Sequence, residues 1–180
     1  MDAIDILEDL VQRPMQALDY FWDELDPSQL NSHPGGHPNS IAWLLWHTAR
    51  ETDAQIAPLA GHDQLWTAEN FDSRFGLSEV DLGMADVGLG QSPDDARGVT
   101  VEETQQGKDL LRDYLEAVYA KTASWIAMLS DDDLDRVIDN DWDPPVTVGV
   151  RIISVIDDAA QHIGQAAYVA GTVELHDLTS

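Results

Sequence analysis

Apolar residues recur at helical spacing in four stretches of the chain. In the first, residues 4–25, the positions are Ile6, Leu7, Leu10, Met15, Leu18, Phe21, Trp22 and Leu25, with Pro14 as a disturbance. The run His33-Pro34-Gly35-Gly36-His37-Pro38 then excludes helix. A second helix is predicted from Asn39 or Ser40, both good N-caps, to Ala60 ahead of Gly61, with Pro58 able to end it sooner. Thr100-Val101-Glu102-Glu103 reads as a capping box opening a third helix through Leu110, Leu111, Tyr114, Leu115, Val118, Ala123, Ile126 and Leu129. The fourth is predicted from about Val148 to Ala170, with Gly171 as its stop.

Residues 61–99 are rich in Gly, Asp and Ser and lack sustained periodicity. A connection of that length is not inert in a compact domain, so it is expected to wrap the bundle or line a site, pinned by Trp66, Phe71 and Phe75. A second, acidic connection covers 130–145 and ends in Pro144-Pro145. Four helices with two long crossovers predict an all-α four-helix bundle. With 180 residues and no internal repeat, one domain over 1–180 is expected.

Composition narrows the function. Hydrophobic residues make up 43% of the chain and Trp occurs six times, enough for a packed core. Nine Lys plus Arg stand against 34 Asp plus Glu, a formal net charge of −25. Such a surface repels phosphate backbones and anionic lipid, which argues against nucleic-acid and membrane partners. Cysteine is absent, so disulfides, Cys-ligated zinc and a cysteine nucleophile are all excluded. Any thiol chemistry would need sulfur from outside. The N-terminus, Met1-Asp2-Ala3-Ile4-Asp5, lacks the pattern of a signal peptide, and no apolar run has the length of a membrane span. A soluble cytoplasmic protein is expected.

Two places carry candidate chemistry. His47 lies mid-helix in Trp43-Leu44-Leu45-Trp46-His47-Thr48-Ala49-Arg50, and an imidazole in so apolar a setting needs a polar partner. On the fourth helix Asp158 and His162 are four apart, hence side by side on one face, with Arg151 and Gln165 on the same stripe. Two histidines and one carboxylate form a three-ligand set with open positions, suited to catalytic Zn²⁺ and acceptable to Ni²⁺ or Fe²⁺. The alternatives are a core histidine satisfied by a hydrogen bond and an ordinary surface ion pair. His33 and His37 read as loop residues, His62 as a cap on helix carbonyls or an exposed residue, and Asp131-Asp132-Asp133-Leu134-Asp135 as a solvated acidic turn lacking the glycine of a calcium loop.

Asn39-Ser40-Ile41-Ala42-Trp43-Leu44-Leu45-Trp46-His47-Thr48-Ala49-Arg50 and Asp158-Ala159-Ala160-Gln161-His162-Ile163-Gly164-Gln165 resemble the metal-site helices of the DinB/YfiT-like superfamily. The similarity extends through 66–77 and 142–151 and is closest to the actinobacterial branch with mycothiol-dependent enzymes such as maleylpyruvate isomerase. The resemblance implies an up-down-down-up four-helix bundle, often a homodimer, holding one divalent metal through His47, Asp158 and His162. Asp158 departs from the pattern, since many members carry His there and the thiol-dependent isomerase typically Glu. That isomerase also has an additional C-terminal domain, so its own activity is not expected of 180 residues.

The implied function is a metal-dependent thiol S-transferase, in which an external low-molecular-weight thiol attacks a small electrophilic substrate. Gln165 and Arg50 are the candidate contacts to thiol or substrate; a packing hydrogen bond for Gln165 and an ion pair for Arg50 are the other roles open to them. Metal-assisted hydrolysis is the second reading. The third is a non-enzymatic, stress-related bundle in which the three side chains form a buried network.

Overall fold

The structure, a computed structural model, describes the backbone of residues 1–177 and the side chains of residues 1–171. Helices α1 (Ala3–Trp22) and α2 (Ile41–Ala60) come first, separated by two short 3-10 turns. The connection after α2 contains α3 (Leu65–Ala68), α4 (Phe71–Phe75) and α5 (Pro93–Gly98) and leads into α6 (Gln105–Ile126). Helix α7 (Asp131–Leu134) and the strands β1 (Val137–Asp139) and β2 (Val146–Thr147) precede α8 (Val148–Asp177).

The four long helices form the expected bundle. Helix α2 packs against α6 and α8, and α1 packs against the same two, so α1 and α2 stand diagonally across the core. Asp2 and Asp5 close a reciprocal capping box on α1, which runs unbroken through the buried Pro14. Ser40 caps α2 by accepting from the Trp43 N–H at 3.2 Å. Gly61 ends α2 in the left-handed region at φ 75°, so Pro58 sits inside the last turn rather than ending it. Every residue from Ile41 to Arg50 is buried. A helix buried on all sides needs cover on all sides, and the 61–99 segment supplies what α6 and α8 leave open.

That segment carries more structure than its composition suggests. Trp66, Phe71 and Phe75 are buried and surround Tyr114 of α6, with ring centroids 5.6, 4.5 and 5.9 Å from it. Gly88, at φ 96°, lies flat on α2: a Cβ there would sit 2.9 Å from the Trp43 ring and 3.2 Å from that of Trp46. Only glycine allows both the conformation and the approach.

Three boundaries differ from expectation. The cap of α6 is Thr104, whose hydroxyl accepts from Gly107, not Thr100. Residues 101–104 instead fold back over the first turn, placing the Glu102 carbonyl where a Cβ on residue 107 would be, at 2.0 Å. Helix α8 does not stop at Gly171, which keeps a negative φ and never takes the left-handed turn that ends a helix. The 130–145 connection holds α7, capped by Ser130 and Asp133, and most of a small antiparallel ribbon pairing Val137 with Thr147 and Asp139 with Val146. Among the described residues no helix is long and apolar enough to cross a membrane.

Candidate metal centre

The packing of α2 on α8 brings His47 to Asp158 and His162, and one ligand atom from each lies within 4.8 Å of the others. His47 Nε2 is 3.7 Å from Asp158 Oδ2, and His162 Nε2 is 3.5 Å from Asp158 Oδ1. The imidazoles meet edge to face at 81°, with centroids 4.8 Å apart. Trp43 stacks flat on His47 at 4.6 Å and meets His162 edge-on at 6.0 Å, forming an apolar wall for both. The Trp43 indole N–H donates to Gln91 Oε1 at 2.7 Å, so that wall is itself tied to the wrapping segment.

What aims the histidines lies one shell out. His47 Nδ1 donates to the carbonyl oxygen of Val87, and His162 Nδ1 donates to Gln165 Oε1 at 2.8 Å. Because those oxygens only accept, each Nδ1 carries a proton and each Nε2 faces the shared space, with a free lone pair whenever the ring is neutral. This is the outer-shell arrangement of metal-ligating histidines, and the donor set of two imidazoles and a carboxylate suits a divalent cation. Gln165 thus stands as an orienting partner of His162.

A fourth polar group stands in the site. Glu51, one turn after His47, places Oε2 at 3.4 Å from His47 Nε2 and hydrogen-bonds with Asp158. Burial, reinforced by the Asp158 carboxylate, raises its pKa to about 8. Burial acts the same way on Asp158, but hydrogen bonds with His162 and Glu51 and the nearby imidazoles outweigh it and hold that carboxyl at about 2. Glu51 therefore carries the proton of the pair. Burial, aided by His162, lowers the pKa of His47 and keeps it neutral. Burial would lower His162 as well, but the bonds to Asp158 and Gln165 prevail and raise it. The spacing i to i+4 from His47 is the signal that points to Glu51.

Arg50 takes the second of its two expected roles, an ion pair with a bundle carboxylate, Asp53, rather than a contact to substrate. Its side chain is buried, with the residue 1% exposed. It donates to the Asp86 carbonyl at 3.1 Å, to Gln64 at 3.1 Å and to Tyr114 at 3.2 Å, and lies 3.6 Å from the Asp53 carboxylate. Asp53, unsuspected in the sequence, accepts from the backbone N–H groups of Leu65 and Trp66 and from Tyr114. Together Arg50 and Asp53 fasten the wrapping segment to α2, and Arg50 grips the residue just before Val87. His33 and His37 remain in their loop, His33 Nδ1 bonding the His37 carbonyl at 3.0 Å. His62 Nδ1 bonds the carbonyl of Asp63 at 2.8 Å.

Fold and site together define a four-helix-bundle protein with a two-histidine, one-carboxylate cluster able to hold a metal ion between its second and fourth long helices. The chain belongs to the DinB superfamily, whose family model matches residues 10–166. A crystal structure described as that of a conserved protein from Enterococcus faecalis is similar to it, at 35% identity and a TM-score of 0.82. The match covers 94% of this chain and 96% of that one. No curated protein matches the chain.

Proposed function

We propose that the protein is a divalent-metal-dependent enzyme that transfers a small external thiol onto an electrophilic substrate, as in the mycothiol-using branch of the superfamily. The observation that carries the metal is the pair of Nδ1–H bonds, to Val87 and Gln165, which leave both Nε2 atoms, rather than Nδ1, facing Asp158. When bound, a divalent cation supplies one thing: it lowers the proton affinity of a thiol or water ligand.

The chain's own residues do the rest. His47, Asp158 and His162 hold the cation, and Trp43 shields the imidazoles on one side. Beside His162 opens a cavity of about 930 Å³, the size of a small-molecule site, in which the amides of Asn39, Gln161 and Gln165 face the apolar surface of Leu44 and Tyr168. Amides, an aromatic ring and the imidazoles of His37 and His162, with no Lys or Arg among the described lining residues, suit a polar portion of thiol or co-substrate. The absence of cysteine supports a borrowed sulfur, since the chain has no nucleophilic thiol to offer.

The test is turnover of a chromogenic electrophile by the Zn²⁺-loaded protein with and without added low-molecular-weight thiol. Thiol-dependent turnover that disappears in His162→Ala is expected. Turnover indifferent to thiol would replace transfer by hydrolysis, and a protein that retains no metal would remove both.

A further inference from the structure

We propose that Glu51 is a fourth protein ligand of the metal site, entering from α2 one turn beyond His47; the inference rests on the metal-site reading above. Ligand atoms held about 2.0–2.2 Å from one cation stand roughly 2.8–3.6 Å from each other at octahedral or tetrahedral angles. Glu51 Oε2 is 3.4 Å from His47 Nε2, within that range, as is the 3.5 Å between Asp158 and His162, while Asp158 stands 3.7 Å from His47. Its carboxylate also hydrogen-bonds with Asp158; it stands outside the group of His47, Asp158 and His162, whose ligand atoms all lie within 4.8 Å of one another, so it joins the cation by a shift of its side chain.

The remaining carboxylate oxygen is tied from outside. Gln55 donates to Glu51 Oε1 at 2.5 Å, and the oxygen of Gln55 accepts from Arg151 of α8, whose guanidinium lies 4.0 Å from Asp139 of the ribbon. This chain orients Glu51 as Val87 and Gln165 orient the imidazoles, leaving Oε2 toward His47 Nε2. Two contacting carboxylates, neither paired with Lys or Arg among the described residues, fit a site completed by a cation. Two imidazoles and two carboxylates balance the charge of a divalent ion.

The experiment is a Zn²⁺ titration against a chromophoric chelator, with Co²⁺ absorption spectra in parallel, on wild type, Glu51→Gln, Glu51→Ala and His162→Ala. Circular dichroism of the metal-free proteins verifies that each variant is folded. Both Glu51 variants are expected to bind Zn²⁺ about 10–100-fold more weakly, with the Co²⁺ d–d bands moved from their wild-type positions and intensities. Unchanged affinity, or weaker affinity with an unchanged Co²⁺ spectrum, overturns Glu51 as a ligand. If His162→Ala abolishes binding in that case, the three-ligand site survives without it. A wild type that binds neither ion overturns both readings at once.

Discussion

A carboxyl group raised to about 8 beside one held at about 2 makes the metal-free site sensitive to pH. Glu51 binds its proton more tightly folded than unfolded, where the ordinary value is 4.5. Its contribution to stability is therefore complete below the unfolded value and lost as pH rises through the folded one. His162, raised, acts in the same direction, while His47, lowered, opposes it. Asp158 matters only at acid pH, where stability falls as the carboxyl protonates toward about 2. Urea midpoints of the metal-free wild type should fall between about pH 5 and 8, and those of Glu51→Gln should fall less; parallel curves would contradict this assignment. At this scale the sequence was legible where helical spacing speaks. His47, Asp158 and His162 could be placed on facing stripes because their neighbours are apolar at the right intervals. Glu51 was overshadowed by Arg50 next to it, which offered a ready ion-pair partner. The Val87 carbonyl was invisible, because a backbone acceptor leaves no mark in side-chain identity.

Among the elements, the 61–99 segment does what its length and aromatics implied, and it does so through backbone. Gly88 lets it lie on Trp43 and Trp46, and Arg50 holds Asp86, so that Val87 arrives at His47. Gly88→Ala meets a positive φ and an indole ring at 2.9 Å together. Overpacking of this kind costs about 1–3 kcal/mol. The variant should lose roughly that in urea unfolding and also bind Zn²⁺ more weakly, because His47 loses its orienting partner. Loss of stability with full metal affinity would separate the segment from the site. The long helices were readable because their apolar period persists for many turns. The ribbon was not, since strands of three and two residues are too short to display alternation. The start of α6 was misjudged because two threonines four apart both resemble caps, and only the fold-back onto Gly107 decides between them.

For the molecule as a whole, the net charge of −25 sets a repulsion that the fold must withstand. Of the basic side chains, Arg13, Arg74, Arg97 and Arg112 form ion pairs near the surface, too few to neutralise 34 acidic residues. Added salt shortens the range of that repulsion from about 30 Å at 0.01 M to about 10 Å at 0.1 M. Urea midpoints should rise with NaCl over this interval; a fall would mean that the few ion pairs outweigh the excess charge. The wrapping segment adds a consequence of its own. Because the Val87 carbonyl holds the Nδ1 edge of the His47 ring, lifting that stretch of chain from α2 also releases the ring to turn. A cation that binds only the closed arrangement penalises such opening by mass action. Occupancy is thereby translated into slower hydrogen exchange along a loop joined to His47 by a hydrogen bond to one carbonyl oxygen.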